Sequence, residues 1–177
     1  MKYCILIDCQ NDFLTGALKN DAAVAKIPAI VEKVKELKAK GFKVIATRDT
    51  HFNDYLQTQE GKNLPVPHCI ENTKGWEVTD ELKPFVDKYI DKTSFGYEDW
   101  GKDSDWDVEE GKDYDETIPE EIHMMGTVTE ICVLANAIIL KAAYPEVPIY
   151  VHKDLCAGLN HHEEALKCME SQQIKVI

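Results

Sequence analysis

Cys132 is the residue whose neighbours in the chain most suggest chemistry. In Gly126-Thr127-Val128-Thr129-Glu130-Ile131-Cys132-Val133 an apolar run ends at a glycine and a helical pattern opens within a few residues. That places a thiol in the first turn of a helix, where unpaired N–H groups and the helix dipole favour a thiolate. The same N–H groups can hold the oxyanion of an acyl-transfer intermediate. The competing reading is a buried cysteine acting as a small hydrophobe, and it is the one given to Cys4, Cys9, Cys69, Cys156 and Cys168. A nucleophilic thiol also needs a group to take its proton and a positive charge to stabilise the anion. Asp8, directly after the apolar run Tyr3 to Ile7, and Lys92, just after Phe85 to Ile90, supply one of each. A turn cap for Asp8 and a solvated loop lysine for Lys92 are the bland alternatives.

A second constellation is Asp49-x-His51, followed by Pro67-His68-Cys69. Alternate residues at a strand end point the same way, so Asp49 and His51 can share one ion, with His68 delivered by the next loop. Two histidines and a carboxylate with open positions suit zinc, iron or manganese. Glu60, nine residues after His51, is a candidate fourth ligand, directly or through water. The alternative is a pair of loop histidines without a metal. Adjacent His161 and His162 point about 100° apart on a helix and read as a surface pair at a helix N-terminus.

These residues must be positioned by regular elements. Tyr3 to Ile7, Val44 to Ala46, Ile122 to Met125 and Ile149 to Val151 read as buried strands, and Lys175-Val176-Ile177 as the start of another. Phe85 to Ile90 is a weaker strand. Ile27 to Lys38, closed by Gly41, has helical spacing with a glycine cap, and Thr129 to Ala143 and His161 to Gln172 are two further helices. Strands alternating with helices imply parallel crossovers, hence a three-layer α/β/α open, mostly parallel sheet with helices on both faces. In such sheets ligands bind beyond the carboxyl ends of the strands, which is where Asp8, Asp12, Asp49, His51, Lys92 and Cys132 all fall.

The chain is 177 residues with net charge −12 and a single arginine, Arg48. This length suffices for one core without disulfides or a structural metal, and neither a repeat nor a dividing linker is found, so one domain over 1–177 is expected. The negative charge argues against nucleic acid and anionic membrane as partners. No apolar run reaches membrane-span length and no signal peptide is evident, so the expected compartment is the cytoplasm. The sequence leaves homo-oligomerisation open. Residues 98 to 121 hold twelve Asp and Glu against Lys102 and Lys112, which is −10 of the −12. With Trp100, Trp106 and Tyr114 among them, this acidic excursion reads as partly docked by aromatics.

Asp-x-Gln-x-Asp-Phe at 8 to 13, Lys92-Thr93-Ser94-Phe95, and Gly-x-x-Thr-Glu-x-Cys-Val at 126 to 133 together resemble the isochorismatase-like cysteine hydrolases, in their nicotinamidase-related branch. The resemblance implies Asp8 as base, Lys92 as its electrostatic partner and Cys132 as nucleophile. It implies a cis peptide between Thr127 and Val128, aiming the Val128 and Cys132 N–H groups at the oxyanion. It also favours a metal, zinc first with iron or manganese as alternatives, at Asp49, His51 and His68, and it implies no organic cofactor. The expected substrate is a small amide, nicotinamide first, with Phe13 and Phe95 as walls for a flat ring, although core packing explains either phenylalanine equally well. A carbamoyl or ureido substrate, and a non-catalytic interaction module, are the alternatives. Departures from the family fall on the pocket: Thr50 follows Asp49 where an aromatic is usual, Phe52 stands where proline is common, and Trp-Pro-Val-His-Cys becomes Leu64-Pro65-Val66-Pro67-His68-Cys69.

Overall fold

The computed structural model describes residues 1–102 and 118–177. Among the described residues six strands form one sheet: β1 (Lys2–Ile7), β2 (Lys43–Asp49), β3 (Lys88–Lys92), β4 (Glu121–Thr127), β5 (Ile149–Ala157) and β6 (Lys175–Val176). Their order is β3-β2-β1-β4-β5-β6, and every pairing within it is parallel. Helices α1 (Asn11–Leu14), α2 (Asp21–Ala39), α3 (Gln59–Asn63), α4 (Leu134–Ala143) and α5 (His162–Ser171) connect them. The expected open, parallel α/β sheet is the one observed.

Alternation along β1 explains why both faces are covered. Tyr3, Ile5 and Ile7 join one core with Leu140 of α4 and Met169 of α5, while Cys4 and Leu6 join the other with Ile27, Ile30, Val34 and Leu37 of α2. A strand buried on both faces has no polar side, which is why it reads as an unbroken apolar run. At the switch in strand order, β1 and β4 come so close that a Cβ on Gly126 would sit 2.1 Å from the Ile7 carbonyl oxygen. Gly126 has φ +137, a conformation open to glycine.

Several boundaries differ from the sequence reading. Helix α2 begins six residues before Ile27, at Asp21, because the Asn20 side chain accepts from the Ala22 and Ala23 N–H groups and the helix continues through Pro28. The third strand is Lys88–Lys92, not Phe85 to Ile90: Lys83–Phe85 forms a 3₁₀ turn around Pro84, and pairing with β2 then carries Lys92 to the strand end beside Asp49. Strand β5 runs to Ala157, past the polar His152-Lys153-Asp154 that hides its second half in sequence. The helix expected over Thr129 to Ala143 is two pieces, a π-helical turn at Thr129–Val133 and then α4. Cys132 therefore sits in the wide turn and not in an ordinary first α-turn. Trp100 of the acidic excursion is buried and its indole N–H donates to Asn136 Oδ1 at 2.8 Å, whereas Trp106 and Tyr114 lie outside the described residues.

On the α2 face, His123 Nδ1 and His152 Nε2 share a hydrogen bond of 2.8 Å. One ring must accept, so the pair is built for neutral imidazoles. Burial, then the neighbouring charges of His123 and Lys33, push His152 down to about 4, and burial also lowers His123. The unfolded chain therefore binds more protons between about pH 6.5 and 4, and stability falls as pH drops through that window. Urea unfolding at pH 7.5 and pH 5 should show a clear loss of midpoint in the wild type, and a smaller pH-dependent loss in His152→Gln. Equal pH dependence in the two proteins would remove His152 as the cause.

Candidate active site

Lys92 is the centre of the site. It is only 2% exposed, yet its Nζ lies 2.7 Å from Asp8 Oδ2, 3.5 Å from Asp49 Oδ1 and 3.8 Å from Cys132 Sγ, and it donates to the Ser94 carbonyl at 3.1 Å. Four elements deliver these groups. Asp8 follows β1, Asp49 ends β2, Lys92 ends β3 and Cys132 sits in the π turn after β4. Because the strands are parallel and in register, their carboxyl ends form one edge, and Asp8 and Cys132 face each other across the switch between β1 and β4.

Burial alone opposes a lysine cation here, but the negative charges of Asp8, Cys132 and Asp49 outweigh it and hold the ammonium well above its ordinary value. Burial pushes Asp8 up against the pull of Lys92, so it is a stronger base than a solvated carboxylate. Burial, and then the Asp8 charge, also push the Cys132 thiol up, against the opposing pull of Lys92. Burial thus works against charge on both the thiol and the Asp8 carboxyl, and the Lys92 ammonium opposes it at each. By itself, a helix N-terminus would instead favour the thiolate.

Two residues without a role in the sequence reading hold this arrangement. The Thr47 hydroxyl donates to Asp8 Oδ1 at 2.6 Å and accepts from the Asp8 N–H at 3.1 Å, securing Asp8 in its left-handed conformation at φ +47. Gln10 is fully buried; its Oε1 accepts from the Asp49 N–H, and its Nε2 donates to the Asp49 and Trp76 carbonyls, at 2.7 to 2.8 Å. The available signal was a polar residue inside or directly after an apolar strand, the same cue that marked Asp8. The Thr127–Val128 peptide is cis, and the Val128 carbonyl accepts from the Ile131 and Val133 N–H groups.

The second cluster adjoins the first through Asp49. One ligand atom each from Asp49, His51, Glu60 and His68 lie within 4.8 Å of one another. His51 Nε2 is 2.9 Å from Asp49 Oδ2 and 3.4 Å from Glu60 Oε1, yet it is buried without a hydrogen bond. His68 donates from Nδ1 to the Val66 carbonyl at 2.8 Å, which leaves its Nε2 lone pair facing Asp49 and Glu60 at 3.5 and 3.6 Å. A buried imidazole nitrogen without a hydrogen bond, a second ring whose tautomer is set by the backbone, and two carboxylates fit a divalent transition metal. Tyr55 packs against both imidazoles, with centroids at 4.7 and 5.1 Å, and its hydroxyl donates to the Leu64 carbonyl. By contrast His161 is exposed, and His162 bonds Thr129 Oγ1 far from this cluster in sequence.

A cavity of about 470 Å³ opens onto both clusters. Cys132, Val128, Asp49, His68 and Glu60 lie along it, and both Phe13 and Phe95 line its walls. Phe13 is buried with its ring edge-on to His68 at 5.6 Å, while Phe95 is 48% exposed.

Comparison with known proteins places this geometry. The family model described as Isochorismatase domain matches residues 2–177. The isochorismatase family protein PncA of Bacillus subtilis is 30% identical over 171 residues, spanning 93% of this chain and 90% of its own. Nicotinamidase of Schizosaccharomyces pombe is 25% identical over 98% of this chain and 91% of its own. The crystal structure of Pyrococcus horikoshii pyrazinamidase in complex with zinc superposes with TM-score 0.78 and 27% identity, over 99% of this chain and 98% of that one.

Removing only the cation would leave two buried carboxylates facing each other. Lys92→Met should therefore destabilise the protein by roughly 3–5 kcal/mol in urea unfolding, and combining it with Asp8→Asn should recover part of that loss. If the double variant is less stable than Lys92→Met alone, the two side chains are not coupled as described.

Proposed function

The chain belongs to the isochorismatase family, and from that premise we propose that it is a cysteine-dependent amidohydrolase that converts a small amide, nicotinamide first, to its acid and ammonia. The observation that carries this reading is the buried Lys92 ammonium, 2.7 Å from Asp8 and 3.8 Å from the Cys132 thiol. A structural ion pair has no need of a thiol as its third member. Asp8, with its proton affinity raised by burial, takes the proton of Cys132, and Lys92 compensates the charge that appears on sulfur. The thiolate attacks the amide carbonyl, and the backbone N–H groups of Val128 and Cys132 stabilise the oxyanion. The C–N bond breaks as Asp8 returns the proton to the leaving nitrogen, releasing ammonia and leaving a thioester on Cys132. Asp8 then deprotonates a water that attacks the thioester, giving the acid and restoring the thiol.

Asp49, His51, His68 and Glu60 would hold one divalent transition metal, zinc first with iron or manganese as alternatives. When bound, such an ion supplies a Lewis-acid docking point for a ring nitrogen. Phe13 and Phe95 offer apolar faces to a planar ring between that cluster and Cys132. Fixing a ring at two points turns binding into orientation, which is worth several kcal/mol of barrier (about 7–11 at most).

Ammonia release should be seen with nicotinamide and pyrazinamide, and it should be much slower with benzamide, which lacks the ring nitrogen. Cys132→Ala should cost at least roughly 10³-fold in kcat with the fold intact, while Cys9→Ala and Cys69→Ala retain turnover. Loss of activity in the latter two with retention in Cys132→Ala would overturn the assignment. Hydrolysis of a carbamoyl or ureido compound but of neither heteroaromatic amide would keep the thiol chemistry and replace the substrate.

Protein purified without added metal should carry up to one equivalent of a transition metal by elemental analysis. The pair His51→Ala and His68→Ala should abolish it, while His161→Ala and His162→Ala leave it unchanged. A metal-free wild type that cannot be loaded by soaking, yet is fully active, would end the metal reading.

A further inference from the structure

Leu159 is 61% exposed, the highest exposure of any large apolar residue among the described residues. The loop that carries it is pinned. Glu130 Oε1 accepts from the Leu159, Asn160 and His161 N–H groups at 2.8, 2.8 and 3.1 Å. The preceding residue must be glycine, because a Cβ on Gly158 would stand 2.6 Å from Glu130 Oε2 and 2.7 Å from the His162 Cβ. Glu130 itself belongs to the π turn that carries Cys132. The leucine is thus tied by backbone bonds to the turn of the thiol, and it lines the cavity that opens onto it.

Two more exposed apolar side chains line the same cavity, Leu64 at 38% and Phe95 at 48%, with Ala17 and Leu18 from the loop before α2. Isolated exposed hydrophobes are ordinary, but several converging on one cavity mark a binding surface. At about 470 Å³ the cavity falls in the range that houses drug-sized ligands, roughly 300–1,000 Å³. One six-membered ring with an amide would leave much of it to water against apolar walls.

We propose that Leu159 is a specificity-determining residue, and that the preferred substrate is a planar amide bearing an apolar substituent of several carbons that packs against Leu159 and Leu64. The inference rests on the amidohydrolase reading for its reacting end, and it extends that reading to the part of the substrate beyond the ring. Among the described residues the apolar stretch offers no buried charge partner; Lys19 at its rim is exposed to solvent and lies 3.0 Å from Asp21. The substituent is therefore hydrocarbon and not carboxylate.

The test compares kcat/KM for nicotinamide with nicotinamides carrying methyl, ethyl or propyl at each free ring carbon. At one ring position each methylene should raise kcat/KM by roughly three- to fourfold. Leu159→Ser should erase that gain while leaving nicotinamide itself within about twofold. Alkyl groups that lower kcat/KM at every position, or a gain unchanged in Leu159→Ser, would overturn the proposal. A second measurement does not depend on turnover: the rate at which N-methyl-, N-propyl- and N-pentylmaleimide label Cys132, followed by mass spectrometry of its peptide. Labelling should quicken with chain length in the wild type and not in Leu159→Ser, and chain-length independence in both would count against the apolar wall. If no amide is hydrolysed but chain-length-dependent labelling is seen, the amidohydrolase reading fails while the apolar wall stands.

Discussion

The buried ammonium of Lys92 is the constraint on which the rest of the site depends. Asp8 and Asp49 end neighbouring elements of a parallel sheet and point into the same water-poor space, an arrangement that two carboxylates cannot hold without a cation between them. One lysine answers both, and its remaining reach extends to the thiol of Cys132 and the carbonyl of Ser94. The two clusters are therefore not independent. Asp49 belongs to each, so any change in the charge around His51 and His68 is felt at Lys92, and through it at Asp8.

The sheet supplies the rigidity such a centre needs. Strands β1, β2 and β4 are largely buried on both faces, edge strand β3 buries the face that carries Ile90 and Lys92, and the order β3-β2-β1-β4 sets Lys92, Asp49, Asp8 and the Cys132 turn side by side along one edge. Small polar residues then fix the fine geometry. Thr47 holds Asp8 from the adjacent strand, and Gln10 grips both backbone groups of Asp49 while bonding the Trp76 carbonyl from the facing loop. The side-chain polar atoms of Thr47 and Gln10 are all satisfied, which makes these buried contacts rigid and not merely costly.

Around this polar floor the cavity turns apolar. Its outer wall combines exposed leucines and a phenylalanine with a backbone loop tied to Glu130, whose carboxyl lies below the usual range because the backbone N–H groups of His161, Glu130, Leu159 and Asn160 outweigh its burial. The same π turn thus carries the thiol on one side and the anchor of the outer wall on the other. The Cys132 thiol and the anchor of the Leu159 loop thus share five residues, Thr129–Val133.

Much of this was legible in the chain itself. Apolar runs ending in Asp8 or Gly126, with helical spacing between the runs, determined a parallel α/β sheet, because only strands covered on both faces lack a polar side. Residue type and position also set Asp8, Asp49, His51, Lys92 and Cys132 at one edge, with His68 delivered by the next loop and Glu60 as a candidate fourth ligand, and the structure brings these side chains together. The extent of β5 was hidden by His152-Lys153-Asp154, since local pattern cannot register a polar residue paired across a sheet, and the start of α2 by Pro28, although the Asn20 cap was a local signal for it. The register of β3 depended on its pairing with β2, which no local window contains. The electrostatic setting of the thiol is a matter of tertiary structure: a helix N-terminus favours the anion, but burial beside Asp8 pushes the thiol up, and burial is a property of the packed chain. So too with Leu159, an unremarkable loop leucine until three backbone bonds to Glu130 set it over the cavity.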